Sequence, residues 1–562
     1  MKSAAQPMPA PSPPRPQPGW LAPALIATAA LFLIGLFSTE LSDTDSWIHL
    51  ATGRYILTHH RLTWPDPFHY TTALNPPASA GEATIRHFNL THEWLAQAGM
   101  YVIYRAGGFG AVVLYKGLLM ALLCLTTGHV VRLRTGSTLW GIAASLAAAS
   151  LAIEFAHDRP SLLTFVFTAL FIAIFEERRW LWLLPPLALI WANCHGGFFI
   201  GWIVCGAYSL SALLRRDWRL LIPSVAVALV SLINPNGINV IRTLVGYRQS
   251  SLTSSLQEWS HGDLWGPPWA FIILLYGSAL MLAISWKRVR LTDWLLFVAF
   301  AAASYSAFRN ELLLGLFAPV LIAAYFPWKR SLPAVAHYAA LAALLGGLVF
   351  GIARGSFFQL RAAEWRFPAG AARFLADHHI QAPLFNTFED GGYLMWRGQK
   401  VFISGQGLSE AVFQDYRMIT GTPSGDPRRD QALARYHVGA IVVNAFEYNS
   451  GILYPVALAL ADPSESDWKL VYDDPEALVF LRELPPGVGP LPKSRIVDHL
   501  VNECTVHVER DPEFSLCART LGNLFLRAGD RARARSILSL YLAHPYGDDP
   551  EVRRAYMDLL RR

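Results

Sequence analysis

The stretch WLAPALIATAALFLIGLFSTELSDTDSWIH (residues 20–49) decides the fold. Trp20 to Ser38 is an uncharged apolar run, close to the roughly 20 residues a helix needs to cross a bilayer core. It is longer than a signal-peptide core and no clear small-x-small cleavage site follows it, so it reads as an uncleaved membrane helix. The chain then turns polar at once, with Asp43 and Asp45 flanking Thr44 and with Trp47 and His49 just beyond. Residues 1–19, which precede the run, are Pro-rich and polar, the composition of a disordered tail.

The same pattern recurs outward from this stretch. Apolar segments lie at about 20–38, 108–130, 138–156, 161–175, 180–193, 198–214, 219–233, 269–286, 292–308, 311–327 and 334–352, so about eleven transmembrane helices are expected. Over the 562 residues 53% are hydrophobic and 16% charged, a balance apolar for a soluble protein. The charge returns at soluble density only after about residue 353. Nineteen Trp and twenty Tyr suit the aromatic belts at the two membrane interfaces. Alternate short loops carry Arg132 and Arg134; Arg178 and Arg179; Arg215, Arg216 and Arg219; Lys287, Arg288 and Arg290; Lys329 and Arg330. The opposite short loops carry only Arg159, Arg242, Arg248 and Arg309. The positive-inside rule therefore puts the N-terminus in the cytoplasm and the C-terminal region outside. The net charge of +6 falls in these loop clusters, so it reads as a topology signal and no nucleic-acid partner is expected. None of the five cysteines stands in a CxxC spacing and three lie in or beside apolar blocks, so neither a zinc site nor a disulfide framework is indicated. Whether Cys504 and Cys517 pair is left open.

The expected architecture is an α-helical polytopic membrane protein with two soluble additions. Residues 20–353 form the transmembrane domain, with a long first outward loop at 39–107. Residues 354–485 combine a helical stretch (Ala369 to His379) with strand-like runs at Ala382–Phe385, Val401–Ile403, Ala440–Val443 and Leu478–Leu481, which predicts a small extracytoplasmic α/β domain. A Pro- and Gly-rich linker covers 486–494. Residues 495–562 are helical by pattern, and LGNLFLRAGD (521–530), followed by Ala534 and Pro545, resembles a tetratricopeptide (TPR) repeat. One such unit cannot bury its apolar face alone, so this segment is expected to dock on something, with a protein partner among the candidates.

Polar groups gather at the outward ends of the spans, where ionisable residues mark function. Asp43 and Asp45 suit a general base or a divalent-metal site, with Mg or Mn the candidate ion; alternatively, Asp43 or Ser42 caps a helix. If a helix begins there, Asp45 and His49 share a face. Glu93, in Thr91-His92-Glu93-Trp94, is a second acid or metal ligand, or a solvated residue in a helix capped by Thr91. Trp64-Pro65-Asp66-Pro67-Phe68 reads as a turn. In His157-Asp158-Arg159-Pro160 an outward arginine can clamp a phosphate or snorkel to the interface. Asn193 and His195, beside Gly196 and Gly197, can bond a ligand or satisfy a loop carbonyl. Asn234, Asn236, Arg309, Asn310 and Glu311 complete the set.

DTDSWIHLATGRYIL, HEWLAQ, HDRPSLLTF, WANCHGGFFIGW and FNTFEDGGYLMWRG, taken together over about residues 20–485, resemble bacterial membrane proteins of the GT-C glycosyltransferase superfamily. The resemblance implies a polyprenyl-phosphate-linked sugar donor held at the lipid surface of a bacterial inner membrane. It implicates Asp43 or Asp45 as base or metal ligand, and makes Arg159 and Arg309 candidates to hold the donor phosphate. From their own clusters, Glu93 is a further candidate acid and His49, His157, Asn193 and His195 are candidate substrate-binding residues beside Arg159 and Arg309. One departure stands out: where the resemblance implies an acidic Asp-Gly-Arg, this chain reads Ser404-Gly405-Gln406. Two other functions fit the same sequence, a membrane scaffold recruiting envelope proteins through 495–562 and a lipid or polysaccharide transporter. The transporter would carry Gly- or Pro-broken spans in two matching halves, and no second half matches Pro185-Pro186 or Pro235.

Overall fold

A computed structural model describes residues 18–240, 242–243, 257–327, 333–406, 409–447, 450–511, 514–544 and 549–561. All but the end of the Pro-rich tail, with Arg248, Lys329, Arg330 and Pro545, lies outside the described residues. The chain divides into two units. The first comprises Met1–Glu40, Ala106–Asn234 and Leu256–Arg361; the second comprises Leu41–Arg105, Pro235–Ser255 and Ala362–Arg562.

The first unit is helical. Each of the eleven apolar stretches is a helix or lies within one: Leu21–Phe37, Trp94–Thr135, Thr138–Ala152, Ser161–Glu177, Leu184–Cys194, Phe199–Leu214, Leu221–Val230, Trp269–Ile284, Leu291–Ser306, Glu311–Tyr325 and Ala334–Ala353. Among the described residues, five helical segments are long and apolar enough to cross a membrane: Ala80–Thr135, Thr138–Phe155, Gly196–Leu214, Phe308–Tyr325 and Ala334–Ala353. Leu21–Phe37, Leu181–Cys194, Trp218–Val230, Trp269–Ile284 and Leu291–Ser306 are apolar but shorter. Prolines shape two of the short ones, Pro185 in the first turn of Leu184–Cys194 and Pro223 in that of Leu221–Val230. Glu311–Tyr325 is buried along most of its length and packs against Trp269–Ile284, Leu291–Ser306 and Thr138–Ala152. Trp180, Trp182, Trp218, Trp269 and Trp286 are exposed at helix ends, as an aromatic belt requires.

Two arginines expected as loop signals prove to be partners of buried acids. Arg134 and Arg290 converge on Glu176 and Asp293, with N···O distances of 2.7 to 2.9 Å. The Tyr208 hydroxyl donates to Glu176 at 2.6 Å and the Tyr325 hydroxyl to Asp293 at 2.5 Å. Trp94–Thr135, Ser161–Glu177, Phe199–Leu214, Leu291–Ser306 and Glu311–Tyr325 are pinned together here. The charges and hydroxyls satisfy one another, which makes their burial tolerable in an apolar surround.

The second unit joins the segment 39–107 to the C-terminal region. Within that segment the chain folds as helices Thr44–His59, Tyr70–Leu74 and Ala80–Thr91 and the start of Trp94–Thr135. The last of these breaks at Gly107 and Gly108, where Gly108 takes φ 64°. Thr44–His59 packs on the short helix Gly391–Trp396, whose Tyr393 stacks with Phe367 while Trp47 meets both rings edge-on.

The α/β part is a four-stranded sheet of order β1-β2-β4-β3: β1 Leu384–Asn386, β2 Ala440–Val443, β3 Lys469–Asp473 and β4 Leu478–Leu481. β1 runs parallel to β2, and β4 is antiparallel to both β2 and β3. Val401–Ile403, expected as a strand, joins no ladder beyond a single bridge to His69. Side chains take its backbone groups instead: Phe402 N donates to Asn386 Oδ1, Thr71 Oγ1 to Phe402 O and Asn386 Nδ2 to Ile403 O. The tail forms helices Arg495–Arg510, Ser515–Ala528, Arg531–Leu542 and Pro550–Arg561, and a disulfide joins Cys504 to Cys517. Its first helix is bound to the sheet by buried charge. Glu503 accepts from Ala445 N at 2.9 Å, and His499 bridges Glu503 and Asp473 at 2.9 Å each.

Candidate functional site

The DTDSWIH stretch opens the Thr44–His59 helix. Asp43 is its N-cap, accepting the Asp45 N–H at 2.8 Å, so the capping role expected as one alternative is realised. The helix register then puts Asp45 and His49 on one face, with Asp45 half-buried and His49 buried. Gly53 allows this helix to cross the start of Trp94–Thr135 closely, since a Cβ there would lie 2.1 Å from Gln97 O.

That crossing brings together two residues far apart in sequence. His49 Nδ1 lies 3.5 Å from Glu93 Oε2 and 3.2 Å from Gln97 Nε2. Thr91 does not cap Glu93's helix. It ends the preceding helix, with its hydroxyl donating back to His87 O, and Glu93 itself precedes the first turn of the next. His92, in the gap between the two helices, stacks on Phe88 and reaches Glu93 Oε1 with Nε2 at 3.4 Å.

Proton positions follow from the network. His92 Nδ1 sits 2.8 Å from Phe88 O and carries a proton to donate, so Nε2 presents a lone pair to Glu93. His49 Nδ1 faces the Gln97 amide nitrogen and likewise accepts. His49 Nδ1 and His92 Nε2 thus face opposite oxygens of the Glu93 carboxylate, and of these residues His92 and Glu93 lie close enough to share a metal ion. A mixed imidazole and carboxylate set suits an ion such as Mn²⁺ better than Mg²⁺, which favours all-oxygen octahedra. His92 and Gln97 were missed in the sequence because their roles depend on a helix boundary and a crossing that no motif signals.

In the first unit the expected substrate-binding residues fall into separate groups. Arg159 and Arg309 meet on opposite oxygens of Glu258 at 3.4 and 3.3 Å, and Arg309 lies over the Trp259 ring. Asp158 is paired with Lys116 at 3.0 Å, both buried, and Lys116 also donates to Thr39 O and Oγ1. His157 is exposed. Asn193 donates its amide to Leu189 O and Ile233 O. His195 Nδ1 accepts from Gly197 N at 3.0 Å and meets Thr164 Oγ1 at 2.7 Å, which leaves its proton on Nε2. Glu311 is fully buried, and neither carboxylate oxygen has a hydrogen-bond partner among the described residues.

The chain is an integral membrane protein of mostly helical architecture, and it shares its fold with a solved oligosaccharyltransferase. The archaeal oligosaccharyltransferase AglB from Archaeoglobus fulgidus, solved in complex with an inhibitory peptide and a dolichol-phosphate, superposes with a TM-score of 0.53. The match covers 85% of this chain and 77% of AglB at 10% sequence identity, so the likeness is one of fold. No family model and no curated protein matches the sequence.

Proposed function

We propose that this protein transfers a sugar from a polyprenyl-phosphate-linked donor to an acceptor at the outer face of a bacterial inner membrane. The observation that carries the reading is the placing of Asp45 and His49 on one helix face with Glu93 against His49, within the fold AglB also has. AglB's bound dolichol-phosphate supports a lipid-linked donor. The Lys/Arg asymmetry of the loops supports an outward second unit, as does the Cys504–Cys517 disulfide, a bond characteristic of oxidising compartments.

In this reading the carboxylate of Asp45 takes the proton of the acceptor hydroxyl or amide, with Asp43 as alternative base. The acceptor atom bonds the anomeric carbon from the face opposite the phosphate. The carbon–oxygen bond to phosphate breaks, its electron pair leaves with the polyprenyl phosphate, and the new charge needs a cation, the role the resemblance gives to Arg159 and Arg309. A divalent ion held by His92 and Glu93 would supply Lewis acidity to a phosphate oxygen.

The test is transfer of label from radiolabelled polyprenyl-phosphate sugars by the purified protein in lipid. Asp45→Asn is expected to lower transfer by roughly 10²- to 10⁴-fold. Asp43→Asn, which keeps a capping side chain, shows which carboxylate is the base. Full activity in both variants refutes the mechanism. Absence of transfer from every donor, with loss of cellular function on deleting 495–562, favours the scaffold reading.

A further inference from the structure

The reaction above leaves Ile403–Gln406 unused, where this chain departs from the acidic Asp-Gly-Arg that the resemblance implies. The loop nevertheless touches the proposed base. Gly405 is exposed, and a Cβ on it would lie 2.6 Å from Asp45 Oδ1, so its bare Cα forms a wall against that oxygen.

Its neighbours are anchored on both sides. Ser404 is fully buried, with Oγ 2.7 Å from His69 Nε2, and His69 Nδ1 is 2.8 Å from Asp66 Oδ2. Asp66 Oδ1 accepts from Phe68 N at 2.9 Å and His69 N at 3.1 Å. Burial pushes the Asp66 carboxyl up, but His69 and these backbone donors more than offset it, so Asp66 lies below the ordinary range and stays ionised. With His69 Nδ1 donating to Asp66, the Ser404 hydroxyl has His69 Nε2 at 2.7 Å and Gln406 O at 3.4 Å as acceptors, and Gln406 N donates to Ser404 Oγ at 3.3 Å. The order of atoms is that of a serine nucleophile with its base and acid. A serine with no exposed surface cannot meet an acyl group, so the same order here serves to hold a loop.

On the other side, Gln406 Oε1 accepts from Thr52 Oγ1 at 2.9 Å, two turns along the helix that carries Asp45. Gln406 Nε2 reaches Asn89 O at 3.3 Å, in the helix that ends just before His92 and Glu93. One glutamine side chain thus spans the two helices that present the proposed acids.

We propose that Ser404-Gly405-Gln406 is the positioning element of the site: Gly405 fixes the direction of the Asp45 carboxylate, and the Asp66–His69 pair locks the loop through Ser404. This rests on the reading of Asp45 as base. The discriminating variant is Gly405→Ala, because the added methyl meets the far end of the Asp45 side chain and can displace it without disturbing the backbone.

Two readouts are taken on the full chain in lipid: steady-state transfer, and carbodiimide-driven amine labelling of Asp45 and Asp43 quantified by mass spectrometry. Gly405→Ala is expected to lower kcat by roughly 10- to 100-fold with donor KM unchanged, and to raise labelling of Asp45 but not Asp43. Ser404→Ala should move both readouts the same way, and Ser404→Thr, which keeps the hydroxyl, should restore them. Wild-type kcat and wild-type Asp45 labelling in Gly405→Ala overturn the proposal. If Asp45→Asn proves fully active, Asp45 is not the base, and the labelling alone decides whether the loop sets its carboxylate. If Gly405→Ala does not fold, the Ser404→Ala and Ser404→Thr pair decides instead: unchanged readouts in Ser404→Ala overturn the proposal, and a loss restored by Ser404→Thr supports it.

Discussion

His499 makes the hold of the C-terminal helices on the sheet depend on pH. Its ring lies between the carboxylates of Asp473 and Glu503 at 2.9 Å each, and it is almost wholly buried. Burial alone would push the imidazole down, but hydrogen bonds and charge from the two acids outweigh it and raise its pKa from 6.5 to about 9. A histidine that holds its proton more tightly when folded adds stability that is fully present below 6.5 and lost as pH rises through about 9. At roughly 1.4 kcal/mol per pH unit the full contribution is about 3 kcal/mol. Two acids of the same unit, Glu389 and Glu476, are raised to about 7 and complete their own destabilising ionisation below the upper part of this window. Between about pH 7.5 and about pH 9.5, His499 therefore accounts for a loss of about 2 kcal/mol.

The assay is hydrogen exchange of peptides covering 495–510 in the purified full chain, read as the free energy of local opening across that range. Wild type should lose about 2 kcal/mol and His499→Gln almost none, while starting less stable at about pH 7.5. Parallel pH profiles in the two proteins would show that His499 is not the titrating group and refute the argument. His507, on the same helix and facing Glu503, Arg366 and Arg510, is lowered to about 4 and stays neutral throughout.

Two further outcomes are expected. Replacing both Cys504 and Cys517 by serine opens a short loop, and chain entropy sets the loss at about 3 kcal/mol, measurable as a lower denaturation midpoint for the tail; an unchanged midpoint would show that the tail's packing suffices without the bond. Glu311→Leu removes polar atoms that are buried without a hydrogen-bond partner among the described residues, so thermal stability should rise by about 1–3 kcal/mol; a fall would show that the carboxyl is held by a partner worth more than its burial.

The helices were legible because an apolar run long enough for a bilayer has few other uses, and every stretch from Trp20–Ser38 to 334–352 is helical. Within 39–107 helices were legible only at candidate caps, because they are short and mixed in polarity, as in Thr44–His59. Val401–Ile403 has the composition of a strand, yet Asn386 and Thr71 side chains replace the ladder, which no propensity scale records. Arg134 and Arg290 counted as surface charge because their partners, Glu176 and Asp293, come from other helices or the next turn of chain. Asp43, Asp45, His49 and Glu93 were each visible as polar groups beside apolar spans. That His49 and Glu93 touch depends on a helix crossing at Gly53, which is a property of packing.

The second unit is assembled from three separated lengths of chain, and this sets an order on biosynthesis. Leu41–Arg105 leaves the ribosome early, but its helix Thr44–His59 finds its packing partner only when Gly391–Trp396 has been made. At roughly 5–20 residues per second the wait is on the order of tens of seconds. Throughout that interval Trp47, which ends fully buried, has no hydrophobic partner from Phe367 or Tyr393. The nascent chain must therefore be sheltered by the translocation machinery or by chaperones, and the proposed acids are put in place only in the last third of synthesis. Premature termination anywhere before Gly391 would leave a membrane-inserted product with no means of completing its site.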